Sequence, residues 1–134
     1  DLAAAVRARA ANRCQYCLMH QSLQGATFHV EHIIPRAKGG ATELSNLALA
    51  CPGWNLPKAD RTMAIDPDSG VAVSLFHPIR QVWSEHFRFS GDRIEGLSPT
   101  GRATVVALDL NHSRRRRIRA AETRLGLRRP DSRL

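Results

Sequence analysis

A chain of 134 residues with a formal net charge of +8 is long enough for one domain with a modest core. No apolar run is long enough to span a bilayer, and no charged-then-apolar leader precedes a cleavage site. These features point away from membrane insertion and secretion and toward the cytoplasm. The charge is unevenly spread: residues 111–134 carry nine arginines against Glu122 and Asp131, a net of +7, while residues 1–110 carry a net of +1. A positive segment so concentrated suits a polyanion, most simply nucleic acid; a solvated helix face or a contact with an acidic protein uses the same composition. The chain begins at Asp1 rather than Met, which reads as a piece of a longer protein.

Residues 2–13 (LAAAVRARAANR) are rich in Ala and Arg without Gly or Pro and predict a helix. Residues 14–18 predict a turn. Residues 27–34 are β-branched or aromatic with loose alternation and predict a strand; Pro35 removes a backbone donor and ends the pairing. Gly39-Gly40 marks a loop, Thr42 is placed to cap a short helical turn through Asn46, and residues 47–51 predict a second short strand. Residues 53–63 read as a helix with Pro57 in its first turn. The run Asp66-Pro67-Asp68-Ser69-Gly70 is a turn signal. It is followed by a strand over 71–76, a helical turn over 81–86, and a hairpin in which 87–89 and 93–97 flank Ser90-Gly91-Asp92. Ser98-Pro99 predicts a cap and a first helical position for a helix to about Leu110. After the break at Asn111-His112-Ser113, residues 114–125 predict a basic helix with Ile118, Ala121 and Leu125 as its packing stripe. The tail after Gly126 is expected to fray.

Phosphodiester hydrolysis needs an attacking water made nucleophilic, a stabilised phosphorane and a protected leaving oxygen. A neutral histidine suits the first need, and a divalent cation serves the other two. Between Phe28 and Lys58 the chain sets Glu31-His32 upstream of Asn46, with Asn55 just beyond. Glu31 and Asn55 offer the oxygen ligands that hard cations prefer. Neighbours on an ideal strand face opposite sides, so Glu31 and His32 serve one site only where the strand ends or twists. His29 shares a strand face with Glu31 and is a candidate further metal ligand or substrate contact. Lys58 and Arg61, together with Arg114, Arg115, Arg116, Arg117 and Arg119, are candidates for contact with phosphates. His77, His86 and His112 lie far from this set, and His86 beside Trp83 and Phe87 reads as packing. The three cysteines, Cys14, Cys17 and Cys51, are an odd count for a disulfide framework. Cys14-x2-Cys17 has the reach of a metal knuckle.

This spaced set resembles the HNH nuclease family. The matching positions are Glu31-His32-Ile33-Ile34-Pro35, Gly39-Gly40, Asn46-Leu47, Cys51, and Asn55 with Lys58. The flanks LFHP (75–78), WSEHF (83–87) and GLSPTGRATV (96–105) resemble a bacterial branch, so the resemblance covers residues from about 10 to 112. It implies an α+β fold: a ββα-metal core with an N-terminal helix, a small additional β-hairpin region and C-terminal helices. It also implies a single nuclease domain over 1–134, with the core motif at about 14–63, a hairpin and helices over 70–127 and a basic tail over 111–134. By the same resemblance His32 is the general base, and Glu31 and Asn55 bind a catalytic Mg2+ or Mn2+. Asn46 is then the asparagine that braces the loop and orients the histidine.

Many relatives of this type carry two CxxC knuckles that hold a structural zinc. Here Cys14 and Cys17 form the first, and the second reads Cys51-Pro52-Gly53-Trp54, with tryptophan in the last ligand position. Three outcomes are open: His20 supplies a nitrogen, a water completes a three-sulfur site, or no zinc binds and the indole fills the volume as an apolar plug. Trp54 directly precedes Asn55 and so bears on how that ligand is presented. The reading is a metal-dependent endonuclease acting on DNA, with no organic cofactor and no membrane partner. Its rivals are a catalytically impaired DNA-binding module of the same fold and an interaction domain that uses the basic tail. Nothing in the sequence bears on oligomeric state.

Overall fold

In the computed structural model the described residues are 1–23, 27–52, 58 and 60–127. The elements in chain order are α1 (Leu2–Ala10), β1 (His29–His32), β2 (Leu47–Ala50), β3 (Met63–Ile65) and β4 (Ala72–Ser74). They continue with α2 (Trp83–His86), β5 (Phe87–Ser90), β6 (Arg93–Gly96), α3 (Pro99–Ala107) and α4 (Ser113–Leu125). The fold is mixed α+β. Among the described residues the strands pair antiparallel in three two-stranded sheets, β1 with β2, β3 with β4 and β5 with β6.

The Asp1 carboxylate starts α1 by accepting from the Ala4 amide at 2.8 Å. The helix ends at Ala10, short of the expected Arg13, because Ala11 and Asn12 turn left-handed at φ 53° and 58°. Arg9 reaches from its last turn to the carbonyls of Leu44 (2.8 Å) and Leu47, fastening α1 to the start of β2. All four β2 positions are buried. β1 is four residues long rather than the eight expected. From Ile33 on, Asn46 takes over the backbone partners: Ile33 N–H donates to Asn46 O and Ile34 N–H to Asn46 Oδ1, both at 2.9 Å.

Loop 14–18 docks on the same strand. Gln15 N–H donates to Leu49 O at 2.8 Å, and Leu49 N–H donates to Gln15 Oε1 at 2.9 Å. Trp83 then ties the later half of the chain to this loop, its indole N–H donating to Tyr16 O at 2.9 Å. Trp83 packs on Phe87 and Phe89 with ring centroids 5.1 and 5.0 Å apart, and Phe76 meets Phe87 edge-on at 5.0 Å. The core therefore runs from Val6 through Phe28 and Leu49 to Phe87, Ile94 and Leu110.

Met63 lies in β3, so the helix expected over 53–63 does not extend to it. Residues 53–57 and 59 of that expectation lie outside the described residues, as does the tail from 128. The β3–β4 turn is organised by buried Asp66, which accepts from Asp68 N–H (3.1 Å), Ser69 Oγ (2.7 Å) and Arg102 Nε and Nη2 (2.9 Å each). The Arg102 guanidinium, aided by Ser69 and the Asp68 amide, holds the Asp66 carboxyl well below the usual carboxylate range despite its burial. Ser98 caps α3 by accepting from Gly101 N–H at 2.9 Å, with Pro99 in the first turn.

Helix α4 departs from its expected stripe. Ile118 packs against the core, but Leu125 is 63% exposed; the buried positions are Arg119 and Glu122.

Candidate functional site

β1 and the loop after it set the first group of side chains. Asn46 is 5% exposed and fully engaged: its Oδ1 accepts from Ile34 N–H, and its Nδ2 donates to Ile34 O at 3.0 Å and Ala41 O at 2.9 Å. One amide thus closes the loop from 34 to 41 onto the end of the strand. Gly40 makes this closure possible, since a Cβ there would stand 1.7 Å from Ile34 O and 2.8 Å from Asn46 Nδ2. The loop delivers Thr42, whose Oγ1 lies 2.8 Å from His32 Nε2. Thr42 makes no cap bond for the 3₁₀ turn Leu44–Asn46, which starts after Glu43 without a side-chain cap. Its hydroxyl serves His32 instead, so the chain Asn46–Ala41–Thr42 positions the imidazole.

Glu31 is held differently. Its Oε1 is buried and has no hydrogen-bond partner among the described residues, and the same is true of the Tyr16 hydroxyl. The two groups nevertheless feel each other. Burial raises the Glu31 pKa, with the Lys58 charge and the nearby Tyr16 hydroxyl opposing. Burial, then the Glu31 charge, raises the Tyr16 pKa well above the usual phenol range. Tyr16 is a site neighbour that the sequence did not single out. Lys58 sits on the inner side as well: it is 3% exposed, and its Nζ donates to Ile33 O at 3.1 Å. Burial lowers its pKa while the Glu31 charge raises it. This corrects the expectation of a phosphate-facing lysine, because the ammonium is spent on the turn after β1. Glu31 is influenced by Lys58 and Tyr16, and the His32 ring bonds Thr42 at the end of β1. Asn55 and Trp54 lie outside the described residues.

Loop 14–18 and the end of β2 bring Cys14, Cys17 and Cys51 together. All three are free and buried, their sulfurs lie within 4.8 Å of one another, and Cys17 and Cys51 are 3.9 Å apart. Tetrahedral zinc spaces its sulfurs about 3.8 Å apart, so the three thiols fit three corners of such a site. Burial pushes the Cys17 and Cys51 thiols up. At Cys14 burial works the same way, but hydrogen bonds from Cys17 and Cys51 outweigh it and lower its pKa.

Residues 14–60 match the family model described as HNH endonuclease. Over that segment the chain is similar to HNH endonucleases. No curated protein and no solved structure matches it. The matched HNH segment holds the hairpin, Asn46 and all three cysteines.

Two nominated residues stand apart from these groups. His20 is not brought to the sulfurs: its Nδ1 bonds Ser22 (2.8 Å to Oγ), and its amide donates to Glu122 Oε2 at 2.6 Å. Among the described residues only the three cysteines come within mutual reach of one ion. His29 is exposed opposite Ala50 and joins no such cluster.

The basic residues outside the HNH segment divide by direction. Arg119 is 1% exposed and donates from Nη1 to Asp92 O (2.6 Å) and from Nη2 to Leu110 O. Its expected phosphate contact is corrected, because its guanidinium satisfies the β5–β6 turn and the end of α3. Arg115 is half-buried. Burial lowers its pKa to about 10. Arg116 pairs with Asp92 at 2.8 Å. Arg114 and Arg117 are exposed and flank Ile118 and Ala121 along an open groove. Arg61 is exposed and donates to Ala107 O at 3.2 Å. His86 bonds Ser98 Oγ at 2.6 Å and packs 5.7 Å from Phe76.

Proposed function

We propose that this chain is a metal-dependent endonuclease that hydrolyses DNA phosphodiester bonds. The observation that carries the reading is Glu31, a buried carboxylate with an oxygen lacking any described partner, directly beside His32 in the HNH segment. A buried anionic oxygen without a donor is costly unless a cation or a proton meets it, so the site suits a hard cation. Glu31 and Asn55 hold Mg2+ or Mn2+, which when bound supplies charge stabilisation at the phosphoryl and leaving oxygens. His32 takes the proton of the attacking water, with Thr42 fixing its ring and Asn46 fixing the loop that presents Thr42. Arg114 and Arg117 follow the DNA backbone without reading sequence. Cys14, Cys17 and Cys51 hold a structural zinc that ties loop 14–18 to the end of β2.

The test is nicking of supercoiled plasmid in Mg2+, Mn2+ or EDTA by the parent and by His32→Ala. Nicking that needs both metal and His32 supports the reading. DNA binding without nicking in either metal leaves the impaired-module alternative. Elemental analysis tests the zinc. Metal in the parent that is lost in Cys17→Ser supports it, and a zinc-free parent overturns it.

A further inference from the structure

Loop 14–18 is fastened to β2 and to the later half of the chain. Gln15 bonds Leu49 through both its amide and its side chain, and Tyr16 O accepts from the Trp83 indole. In the β1–β2 register Leu49 stands opposite Val30, and its neighbour Ala48 stands opposite Glu31. Directly opposite residues of an antiparallel pair share a face, so Glu31 shares its face with the small, buried Ala48. The loop is thereby fixed along β2 one residue from the position that pairs with Glu31. Between Cys14 and Cys17 it carries Tyr16, the single tyrosine of the chain.

Tyr16 is 2% exposed, and its hydroxyl is buried without a hydrogen-bond partner among the described residues. Glu31 Oε1 is in the same condition. One is an O–H donor and the other a carboxylate oxygen that accepts. After burial, which contributes most, the charge and the hydrogen-bonding reach of Glu31 raise the Tyr16 pKa, so the two groups lie near one another. Lys58 acts on Glu31 by charge, while its Nζ donates to Ile33 O at 3.1 Å. A buried donor and a buried acceptor are each costly when left unpaired, and a single hydrogen bond satisfies both. A carboxylate has about four acceptor positions on its two oxygens, so such a bond leaves room for a cation on the same group.

We propose that Tyr16 is a positioning residue: its hydroxyl donates to the Glu31 carboxylate and holds it in the orientation that binds the catalytic cation. The metal role of Glu31 rests on the nuclease reading above; the pairing of the two buried groups does not. Hydrogen bonds to a ligating carboxylate fix its direction and are a regular part of metal sites. The pairing also links the two groups of side chains in the HNH segment. Tyr16 lies between Cys14 and Cys17, so whatever fixes the cysteine cluster also fixes the donor that holds Glu31.

The test uses the full chain, without added Mg2+ or Mn2+ and labelled at tyrosine Cζ, so that its NMR spectrum holds one tyrosine resonance. Glu31→Gln removes the charge and keeps an acceptor, and the proposal expects it to move that resonance. Glu31→Ala removes the acceptor as well and should move it further. A resonance unmoved by both variants, or a shift already complete in Glu31→Gln, overturns the pairing. Mn2+ binding without DNA is then measured by calorimetry for the parent and for Tyr16→Phe, which keeps the ring and loses the hydroxyl. Loss of an outer hydrogen bond to a metal ligand costs roughly 10- to 100-fold in metal affinity, and Tyr16→Phe should weaken Mn2+ binding to that extent. Its nicking should return toward the parent rate as Mn2+ is raised. Mn2+ affinity equal to that of the parent overturns the positioning role. Should Tyr16→Phe fail to fold, the Cζ comparison carries the test in chains that keep Tyr16. Failure of the nuclease reading shows separately, as Mn2+ binding that Glu31→Gln does not weaken, and it is seen apart from the Tyr16 resonance, which needs no metal.

Discussion

The β1–β2 hairpin and helix α4 both take polar side chains into the interior, and they finish them differently. In the hairpin Asn46 has each of its amide groups bonded, while one residue before the strand ends Glu31 keeps a buried oxygen without a described partner. In α4 the buried Arg119 donates to two backbone carbonyls, and Glu122 accepts from the His20 amide. The hairpin thus holds its frame closed and leaves one buried oxygen without a described partner. The helix uses its charges as docking groups. Arg115, Ile118, Arg119 and Glu122 follow the i, i+3, i+4, i+7 spacing of one helical face, and Arg114 and Arg117 fall off it. A charge in α4 is structural or available according to its angle around the helix rather than its number in the arginine run.

Removing this unpartnered oxygen breaks the hairpin side of the contrast most sharply. Glu31→Gln should reduce nicking by at least ~100-fold, about 2.7 kcal/mol of barrier. Its thermal midpoint in EDTA should not fall, since a buried charge has been removed. A large loss of stability instead would make Glu31 part of the frame. On the helix side, Arg119→Ala should cost about 3 kcal/mol, because it orphans the Asp92 and Leu110 carbonyls. Thermal unfolding should register this as a drop of roughly 10 °C.

Arg114→Ala and Arg117→Ala should leave the midpoint unchanged within about 0.5 kcal/mol. Each should lower the salt slope of DNA binding by roughly 1, measured by anisotropy across a salt series. If Arg119→Ala weakened DNA binding without unfolding the chain, the two faces would not be distinct. The smallest effect concerns pH. The Asp66 carboxyl is depressed in the folded state, so its contribution is complete above the ordinary aspartate value of about 3.9 and is lost as pH falls through its lowered value. Arg102→Ala returns that value upward, and acid unfolding should set in at a higher pH than in the parent. An unchanged acid midpoint would mean that the Asp66–Arg102 pair does not support the β3–β4 turn.

The hairpin was legible because its signals are local: a β-branched run stopped by proline, a Gly-Gly loop, an apolar run, and spaced polar residues between them. Its ends were less so, since Asn46 takes over the ladder at Ile33 through bonds that propensity does not encode. The LFHP and WSEHF segments are visible in the sequence as motifs, but the sequence distance of His77 from the hairpin hides a nearness that the fold creates at a recess shared with Lys58 and Ile33. Threonine before a short turn favours a helix cap, whereas the partner of Thr42 is a histidine ten residues back. In α4 the charge was visible and its direction was not. An amphipathic reading prefers Leu125 to Arg119 for the interior. The carbonyls that make Arg119 the better choice belong to Leu110 and Asp92, and the second of these comes from a distant hairpin. Cys14, Cys17 and Cys51 meet as their spacing suggested, whereas His20 is claimed by Ser22 and by Glu122 of the same helix α4.

The central claim is that His32 acts on the attacking water while Thr42 and Asn46 only hold it in place. Single-turnover nicking by His32→Ala in Mg2+, with and without added imidazole, tests it most directly. The account predicts a loss of about 10²- to 10⁴-fold, an unchanged thermal midpoint, and partial recovery with imidazole that rises with the fraction of neutral base. A His32→Ala protein that nicks at the parent rate, or whose lost activity imidazole does not restore although the protein is folded and binds DNA, would contradict it.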